Sequence, residues 1–317
     1  MKGPLVVLLA VAAGACSDSL DPAYRLNKPR VIAAEASIVG DLENRTNPRP
    51  GETVRVRWRL AFPAAPLPAS YVLLACAPAP TAFGVPLCAD GEPLALAAEL
   101  NPSSDAPTLA IEVPGDYDRS AILVLGGICM GGVVRTDVDP RDAEDTVNVC
   151  EGEGTGQLVS LLHPVDLDGT QTNHPPGVGE ITLDGEPWTA PVPDDPTAPC
   201  ADLDLPTFAL GGDDVALRIA MTEGSREAYA TLEGDPPQPG MRVESLQNSL
   251  LITAGELDRS FSFIEGDATS TGEILYTPPS VGDVEVPAEG LVVKLIVVMR
   301  DLRGGVDVAS RALCLVP

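Results

Sequence analysis

The feature that most constrains the fold is a strict alternation of apolar and basic residues in the segment Thr53–Phe62. The apolar set and the arginine set are Val54, Val56, Trp58, Leu60 and Phe62 against Arg55, Arg57 and Arg59. A period of two residues places these sets on opposite faces of an extended strand, one on a core and one in solvent. Pro50-Gly51 supplies a turn before the segment and Pro63 ends it. The segment therefore predicts a half-buried antiparallel strand.

Short apolar runs recur along the chain between clusters of Pro, Gly and Asp. With 30 Gly and 32 Pro, the composition favours many turns and short strands over long helices. The further strand candidates are Val31–Val39, Tyr71–Ala75, Leu109–Val113, Ala121–Leu125, Val215–Ala220, Ser249–Thr253, Phe261–Ile264, Gly272–Thr277, Leu291–Met299 and Val306–Leu315. Asp184-Gly185, directly after Glu180–Leu183, has the composition of a hairpin turn, and so does Asp301–Gly305. The spacing predicts an all-β fold built of antiparallel β-sandwiches.

The first sixteen residues have the order of a bacterial secretion signal with a lipidation site. Lys2 is followed by the apolar stretch Leu5–Ala13 and by small residues ahead of Cys16. The stretch is shorter than the about 20 residues that span a bilayer, so we expect its removal. The junction Ala13–Cys16 resembles the lipobox of bacterial lipoproteins, whose cysteine is acylated, and Ser17 after it implies outer-membrane placement. The alternative is a cleaved signal with Cys16 as an ordinary thiol.

The expected organisation follows from these segments. We assign residues 1–15 to a signal peptide, 16–29 to a lipidated tether without periodicity and 30–135 to a first β-sandwich domain. Residues 136–173 are rich in acidic residues and glycine and are assigned to a connector, and 174–317 to a second β-sandwich domain.

The charge balance excludes one class of partner. The chain has 20 Lys+Arg and 46 Asp+Glu, a net charge of −26, which disfavours binding to a phosphate backbone. We therefore expect no nucleic-acid partner. The acidity is dispersed along the chain, as on a solvated surface that resists aggregation. The expected partners are the membrane, through the N-terminal lipid, and an envelope protein or polysaccharide.

Six cysteines besides Cys16 make an even number in a chain predicted to be exported. They are Cys76, Cys88, Cys129, Cys150, Cys200 and Cys314, and none is spaced as C-x-x-C. An oxidising compartment and the absence of that spacing favour disulfides over a redox dithiol or a zinc ribbon. Six cysteines allow about 15 connectivities, and we expect the sequential pairing, which closes two short loops and brackets one long segment.

Two motifs carry a resemblance to a known kind of module. The Pro50–Val54 entry into a strand and the Arg300–Gly305 hairpin resemble segments of the Ig-like and PKD-like β-sandwiches found in bacterial surface lipoproteins. The resemblance implies two Ig-like antiparallel β-sandwich domains in tandem. No cysteine precedes Trp58 at the spacing of an antibody-type core.

Few residues are candidates for metal binding. His163 and His174, with Asp166 and Asp168 between them, could bind zinc, although their spacing matches no recognised motif. Asp137, Asp139, Asp142 and Asp145 form the densest carboxylate cluster and are weak calcium candidates, because they lack the Asp-x-Asp-x-Asp-Gly register. A charged surface loop is the alternative. We expect no cofactor, with calcium as the one exception considered.

Two other features admit a binding role. The face of Arg55, Arg57 and Arg59 could hold an anionic ligand, but cross-strand ion pairs are the expected use in so acidic a chain. Trp188 is either an exposed platform for a sugar or a plug between domains.

We expect no catalysis and assign no catalytic residue. The chain contains no G-x-S-x-G elbow, and its two histidines lack the spacing of a metal site. The leading hypothesis is a lipoprotein anchored in the outer membrane as a binding or structural module. One alternative is a carbohydrate-active or other envelope enzyme built from scattered carboxylates. The other is an assembly accessory that holds a partner by strand addition.

Overall fold

The computed structural model describes residues 22–79, 86–89, 91–137, 149–233 and 238–317. In these ranges the chain forms strands and turns with a short 3-10 helix, Cys200–Asp202, and no α-helix. The prediction of an all-β fold is confirmed. No helix in the same ranges has the length and apolarity that crossing a membrane requires.

The first part of the chain forms a sandwich of two antiparallel sheets and a small ribbon. Its strands are β1 (Arg30–Ile38), β2 (Thr53–Ala61), β3 (Ala69–Cys76), β4 (Ala95–Ser103), β5 (Thr108–Glu112), β6 (Ala121–Met130), β7 (Val133–Val134), β8 (Cys150–Glu151) and β9 (Thr155–Pro164). One sheet has the order β1-β2-β5 and the other β4-β3-β6-β9, and β7 pairs with β8. The assignment of β1, β2 and β5 to one sheet and of β3, β6 and β9 to the other follows the Ig-like arrangement, and β4 extends the second sheet beside β3.

The first core lies between these two sheets. Val54, Val56 and Trp58 of β2 pack against Leu73 of β3 and Ile122 of β6, and Trp58 is only 2% exposed. The alternation in β2 therefore separates a core face from an arginine face, as predicted. Burial of these side chains stabilises the sandwich by about 1.5–3 kcal/mol each.

The second part of the chain forms a sandwich of two five-stranded sheets and a separate hairpin. Its strands are β10 (Val178–Leu183), β11 (Glu186–Pro187), β12 (Thr207–Ala209), β13 (Val215–Met221), β14 (Ala228–Glu233), β15 (Gln238–Val243), β16 (Leu246–Ile252), β17 (Glu256–Leu257), β18 (Phe261–Ile264), β19 (Ile274–Thr277), β20 (Leu291–Arg300) and β21 (Val306–Val316). The sheet orders are β11-β10-β13-β19-β17 and β12-β21-β20-β16-β18, and β14 pairs with β15.

The second core lies between the two five-stranded sheets. Ile181, Leu217 and Ile274 from one sheet pack with Leu250 and Val297 from the other. All neighbouring strands are antiparallel except β12, which runs parallel to β21. Each sandwich therefore has its own hydrophobic core.

The turn at Asp184-Gly185 forms as its composition predicts. Leu183 pairs with Glu186 across a two-residue loop, and both loop residues have positive φ, 51° for Asp184 and 84° for Gly185. Positive φ at both positions defines a type I′ turn, which Asp-Gly favours because glycine meets no steric penalty there.

The assignment of residues 136–173 to a connector is wrong for most of its described part. The strand β9 pairs with β6 over ten residues, from Ala121 opposite Pro164 to Met130 opposite Thr155. Its short apolar centre gives a weak strand signal, and only the long-range pairing with β6 reveals it. The described link to the second sandwich is therefore residues 165–177.

The assignment of residues 16–29 to a free tether is wrong for its described part, which begins at Pro22. The N–H of Leu26 donates to the carbonyl of Ile252 at 2.8 Å, and the N–H of Ile252 donates to the carbonyl of Tyr24 at 2.8 Å. Leu26 is fully buried against Ala61 of the first sandwich and Leu251 of the second. The segment thus adds to the second sandwich and fills the space between the two.

We call the contact between β1 of the first sandwich and the outer face of β16 and β20 the seam. Ile32 of β1 and Ile296 of β20 pack with the buried residues Leu26, Ala61 and Leu251. At another point of contact between the sandwiches, Lys294 donates through Nζ to the carbonyl of Ala64 at 2.8 Å. Apolar and polar contacts together hold the sandwiches against each other.

Candidate binding pocket at the seam of the two sandwiches

The three disulfides have the sequential pairing expected from the cysteine spacing. They join Cys76 to Cys88, Cys129 to Cys150 and Cys200 to Cys314. The first closes the loop after β3, the second ties β6 to β8, and the third ties the 3-10 helix to β21. The lipidation candidate Cys16 lies outside the described residues.

The calcium candidates are only partly described. Asp139, Asp142 and Asp145 lie outside the described residues. Asp137 is exposed, and its Oδ2 lies 2.8 Å from Nη2 of Arg135, whose hydrogen bonds lower the pKa of Asp137. The described part of the chain contains no cluster of three or more Asp, Glu, His or Cys side chains that could bind a metal ion.

The two histidines bind different partners and do not form a common site. His163 is buried, and its Nε2 donates to the carbonyl of Thr46 at 2.9 Å. Burial lowers the pKa of His163, which favours the neutral ring. His174 is half-buried, and its Nδ1 lies 2.5 Å from Oε1 of Glu227. The carboxylate of Asp166 binds Nε of Arg49 at 3.3 Å instead. The zinc hypothesis is therefore not supported by this geometry.

The remaining sequence candidates have structural roles. Nε of Arg59 lies 2.6 Å from Oε1 of Glu35, so this arginine makes the expected cross-strand ion pair, while Arg55 and Arg57 are exposed. Trp188 is 3% exposed within the second core, and its Nε1 donates to the carbonyl of Ala312 at 2.9 Å. Trp188 is thus neither a sugar platform nor a plug between the sandwiches.

A pocket of about 310 Å³ opens at the seam, and both sandwiches line it. The N-terminal segment and β1 contribute one side, and β16, β18 and β20 contribute the other. Its lining residues are Ala23, Arg30, Val31, Ile32, Gln247, Ser249, Leu250, Leu251, Ser260, Phe261, Val298 and Arg300. None of these lining residues is acidic, so the pocket combines an apolar floor with hydroxyl, amide and guanidinium groups.

The two guanidinium groups in the seam pocket have no carboxylate partner among the described residues. Nη1 of Arg300 donates to Oγ of Ser249 at 2.9 Å, and its Nη2 donates to the carbonyl of Ile32. Nη1 of Arg30 donates to the carbonyl of Ala23 at 3.0 Å. Burial lowers the pKa of Arg300, because a cation is desolvated there without a counter-ion. Two guanidinium groups without carboxylate partners have the chemistry to bind an oxyanion.

Two buried carboxyls lie elsewhere between the sandwiches, beside Arg303. Oε1 of Glu244 lies 2.6 Å from Nη1 of Arg303, and Oδ2 of Asp301 accepts from Nδ2 of Asn173 at 2.8 Å. Asn173 in turn donates to Oγ1 of Thr46, which links both sandwiches. Each of these residues is only 2% exposed, and this burial raises the pKa of Glu244 and of Asp301. Carboxyls buried to this extent stabilise the contact between the sandwiches and are not accessible to a substrate.

A smaller, apolar cavity of about 160 Å³ lies on the outer face of the four-stranded sheet. Leu96 of β4 and Leu125, Gly126 and Gly127 of β6 are among its lining residues. A Cβ at Gly126 would lie 2.1 Å from the carbonyl oxygen of Val72, so glycine is required by the close approach of β3. This cavity has an apolar lining with one cation, Arg135, at its edge.

The sequence contains one local signal of the seam pocket, although it matches no known motif. Arg25, Lys28 and Arg30 lie within residues 22–30, which contain no acidic residue, although acids outnumber bases in the chain by 46 to 20. The contribution of Arg300 has no local signal, because only packing of the two sandwiches brings it to the same pocket.

The comparisons with known proteins give no family. No protein-family profile and no curated protein matches the chain. Among solved structures, two of Salmonella alpha-2-macroglobulin are similar over part of their length: the mutant Y1175G and the methylamine-reacted form. The first is 13% identical with a TM-score of 0.23, and the second 14% identical with a TM-score of 0.24. They cover 91% and 94% of this chain, which spans 15% of theirs.

Proposed function

We propose that the protein is a lipid-anchored binding module of the outer membrane that takes an anionic ligand in the seam pocket. The seam pocket is the observation that carries this proposal. Its guanidinium groups come from both sandwiches, and in the described residues neither has a carboxylate partner. An enzyme built from carboxylates is less well supported, because Glu244 and Asp301 are enclosed by packing.

The anchor is supported by the sequence order that ends at Cys16. Several acyl chains contribute about 0.8 kcal/mol per buried methylene, so they hold a protein at a membrane without further help. The described chain begins at Pro22, six residues after Cys16, and is packed at the seam by Leu26. Acylation would therefore hold the seam side of the molecule near the bilayer.

The anchor is tested by growing a Gram-negative host that expresses the full chain with a labelled fatty acid. We expect label in the wild-type protein and in the matched control Ser17→Ala, and none in Cys16→Ser, which lacks the thiol. Label retained by Cys16→Ser, or absent from the wild type, would contradict the proposal. Because an Asp after the cysteine favours inner-membrane retention in lipoproteins, Ser17→Asp should move the protein to the inner-membrane fraction.

A further inference from the structure

The seam pocket lies close to the proposed point of membrane attachment. Ala23 lines the pocket, and Cys16 precedes Pro22 by six residues. An extended chain spans at most about 3.6 Å per residue, so six residues reach roughly 20 Å. Because residues 22–26 are packed at the seam, a lipid on Cys16 keeps the pocket within that distance of the bilayer surface.

Positive charge lies in this pocket and in the segment that leads to it. Arg30 and Arg300 line the pocket, and Arg25 and Lys28 lie in the few residues before β1. We call these four residues the basic patch. Anionic lipids attract juxtamembrane basic residues near the membrane surface, and the attraction falls off within a Debye length. In a chain with a net charge of −26, such a basic patch can be attracted by a negative surface although the chain as a whole is acidic.

Two exposed aromatic side chains flank the basic patch. Phe261 is 52% exposed and Phe263 is 41% exposed, and their ring centroids are 5.8 Å apart. They lie on the edge strand β18 opposite Ser249 and Gln247, so they share the outer face that carries the pocket. The chain has only five phenylalanines, and burying such rings in the headgroup region is how interfacial segments bind bilayers.

The pocket also has hydrogen-bond donors available for an oxyanion. A guanidinium carries five N–H groups, of which the described contacts use two in Arg300 and one in Arg30. Two guanidiniums suit a phosphate, which accepts several charge-assisted hydrogen bonds at once. Desolvation of a cation without a counter-ion is unfavourable, and a bound anion would offset that cost.

We propose that this face of the protein lies on the bilayer and that the seam pocket binds the phosphate of an anionic lipid headgroup. The proposal rests on the lipid anchor proposed above, which brings the pocket to the membrane. Arg30 and Arg300 bind the phosphate, and Phe261 at the rim contacts the acyl region beside it.

The test uses the purified mature lipoprotein in an uncharged detergent. It is titrated separately with a short-chain phosphatidylglycerol and with inorganic phosphate, and affinity is taken from the rise in the thermal unfolding midpoint. We expect the phosphatidylglycerol to bind the wild type at least tenfold more tightly than inorganic phosphate. Arg300→Gln and Arg30→Gln should each lower the affinity for the lipid by at least tenfold.

The matched control is Arg218→Gln, which removes an exposed guanidinium that pairs with Glu273 on the other sheet of the second sandwich. It should leave lipid affinity unchanged. Phe261→Ser should weaken phosphatidylglycerol binding and leave phosphate binding unchanged. Equal affinity for inorganic phosphate and the lipid would identify a free oxyanion as the ligand and overturn the proposal. Lipid binding that survives both arginine substitutions would also overturn it.

Failure of the anchor and failure of the pocket can be told apart in the same preparation. The intact mass reports acylation at Cys16, whereas the titration in detergent reports the pocket with or without acyl chains. An acylated protein that does not bind the lipid contradicts this inference alone. A protein without acyl chains contradicts the anchor, whatever the titration gives.

Discussion

Arg45 and Arg300 are two arginines withdrawn from solvent in the same acidic chain, and their surroundings differ in kind. Nη2 of Arg45 lies 3.0 Å from Oδ1 of Asp41 and 2.8 Å from Oε1 of Glu52, and Arg45 is 6% exposed. Arg300 has only a hydroxyl and a carbonyl as described partners. The hydrogen bond to Glu52 raises the pKa of Arg45, whereas burial lowers that of Arg300.

The difference in partners indicates different roles: Arg45 stabilises the fold, whereas Arg300 remains available to a ligand. Two carboxylates compensate the buried charge of Arg45, and they lie in the same β1–β2 loop, so this ion cluster shapes one loop of the first sandwich. Arg300 lies where the two sandwiches meet, and a pocket remains beside it. Acidic residues are plentiful in the chain, yet the lining of the seam pocket contains two arginines and no acidic residue.

The largest expected effect is the loss of the Arg45 cluster. Arg45→Met removes the cation and leaves Asp41 and Glu52 near each other without compensation, which should lower the free energy of unfolding more than any other substitution proposed for this protein. Urea unfolding at pH 7 measures this change. Arg218→Met, which breaks the exposed pair with Glu273, is the control and should cost under about 1 kcal/mol. Equal losses in the two variants would show that burial of the pair does not matter.

A smaller effect concerns the pH dependence of the same cluster. The backbone hydrogen bond from Arg45, followed by its side-chain contacts, lowers the pKa of Asp41. Burial alone would raise the pKa of Glu52, but hydrogen bonds from Arg45 and Arg49 lower it overall. Carboxyls with a lowered folded pKa stabilise the protein above their ordinary values of 3.8 and 4.5, and the stabilisation is lost as the pH falls through the folded values.

The stability difference between the wild type and Arg45→Met should therefore be full at pH 6 and shrink as the pH falls below about 4.5. Unfolding in urea at a series of pH values from 6 to 2 measures it. A difference that stays constant over this range would mean that the Arg45 contacts contribute no charge-dependent stability.

The smallest expected effect is that of Arg300→Met on stability. Replacing a desolvated cation that has no counter-ion by an apolar side chain of similar length should change the free energy of unfolding by less than about 1 kcal/mol, because relief of desolvation offsets two lost hydrogen bonds. Urea unfolding without added anions measures the change. A loss as large as that of Arg45→Met would assign Arg300 to the fold and remove the contrast between the two arginines.

The local features of the fold could be predicted because they depend on near neighbours in sequence. The alternation in Thr53–Phe62 places Trp58 in a core, and Asp184-Gly185 forms the turn that its backbone preferences favour. The sequential disulfides agree with the spacing of the cysteines. Several strands have no candidate in the sequence analysis, among them the short strands and the β14–β15 hairpin. Of the longer ones, β4 is rich in alanine, and β9 has only a brief apolar centre.

The functional candidates could not be predicted to the same extent. His163, Trp188 and Asp166 are residue types that often mark sites, yet here each is buried with a structural partner. The seam pocket was missed because Arg30 and Arg300 are 270 residues apart in the sequence and belong to different sandwiches.

The sequence by itself determined the strands with clear apolar patterning, the Asp184-Gly185 turn, the even number of cysteines available for pairing and the acidic balance of the chain, since backbone preference and side-chain period act over a few residues. The tertiary structure decided that residues 22–26 pack at the seam, that β9 completes the first sandwich and that two guanidiniums meet in one pocket. These features depend on contacts between distant segments, whose free energy comes from burial and desolvation and exists only once both sandwiches have formed.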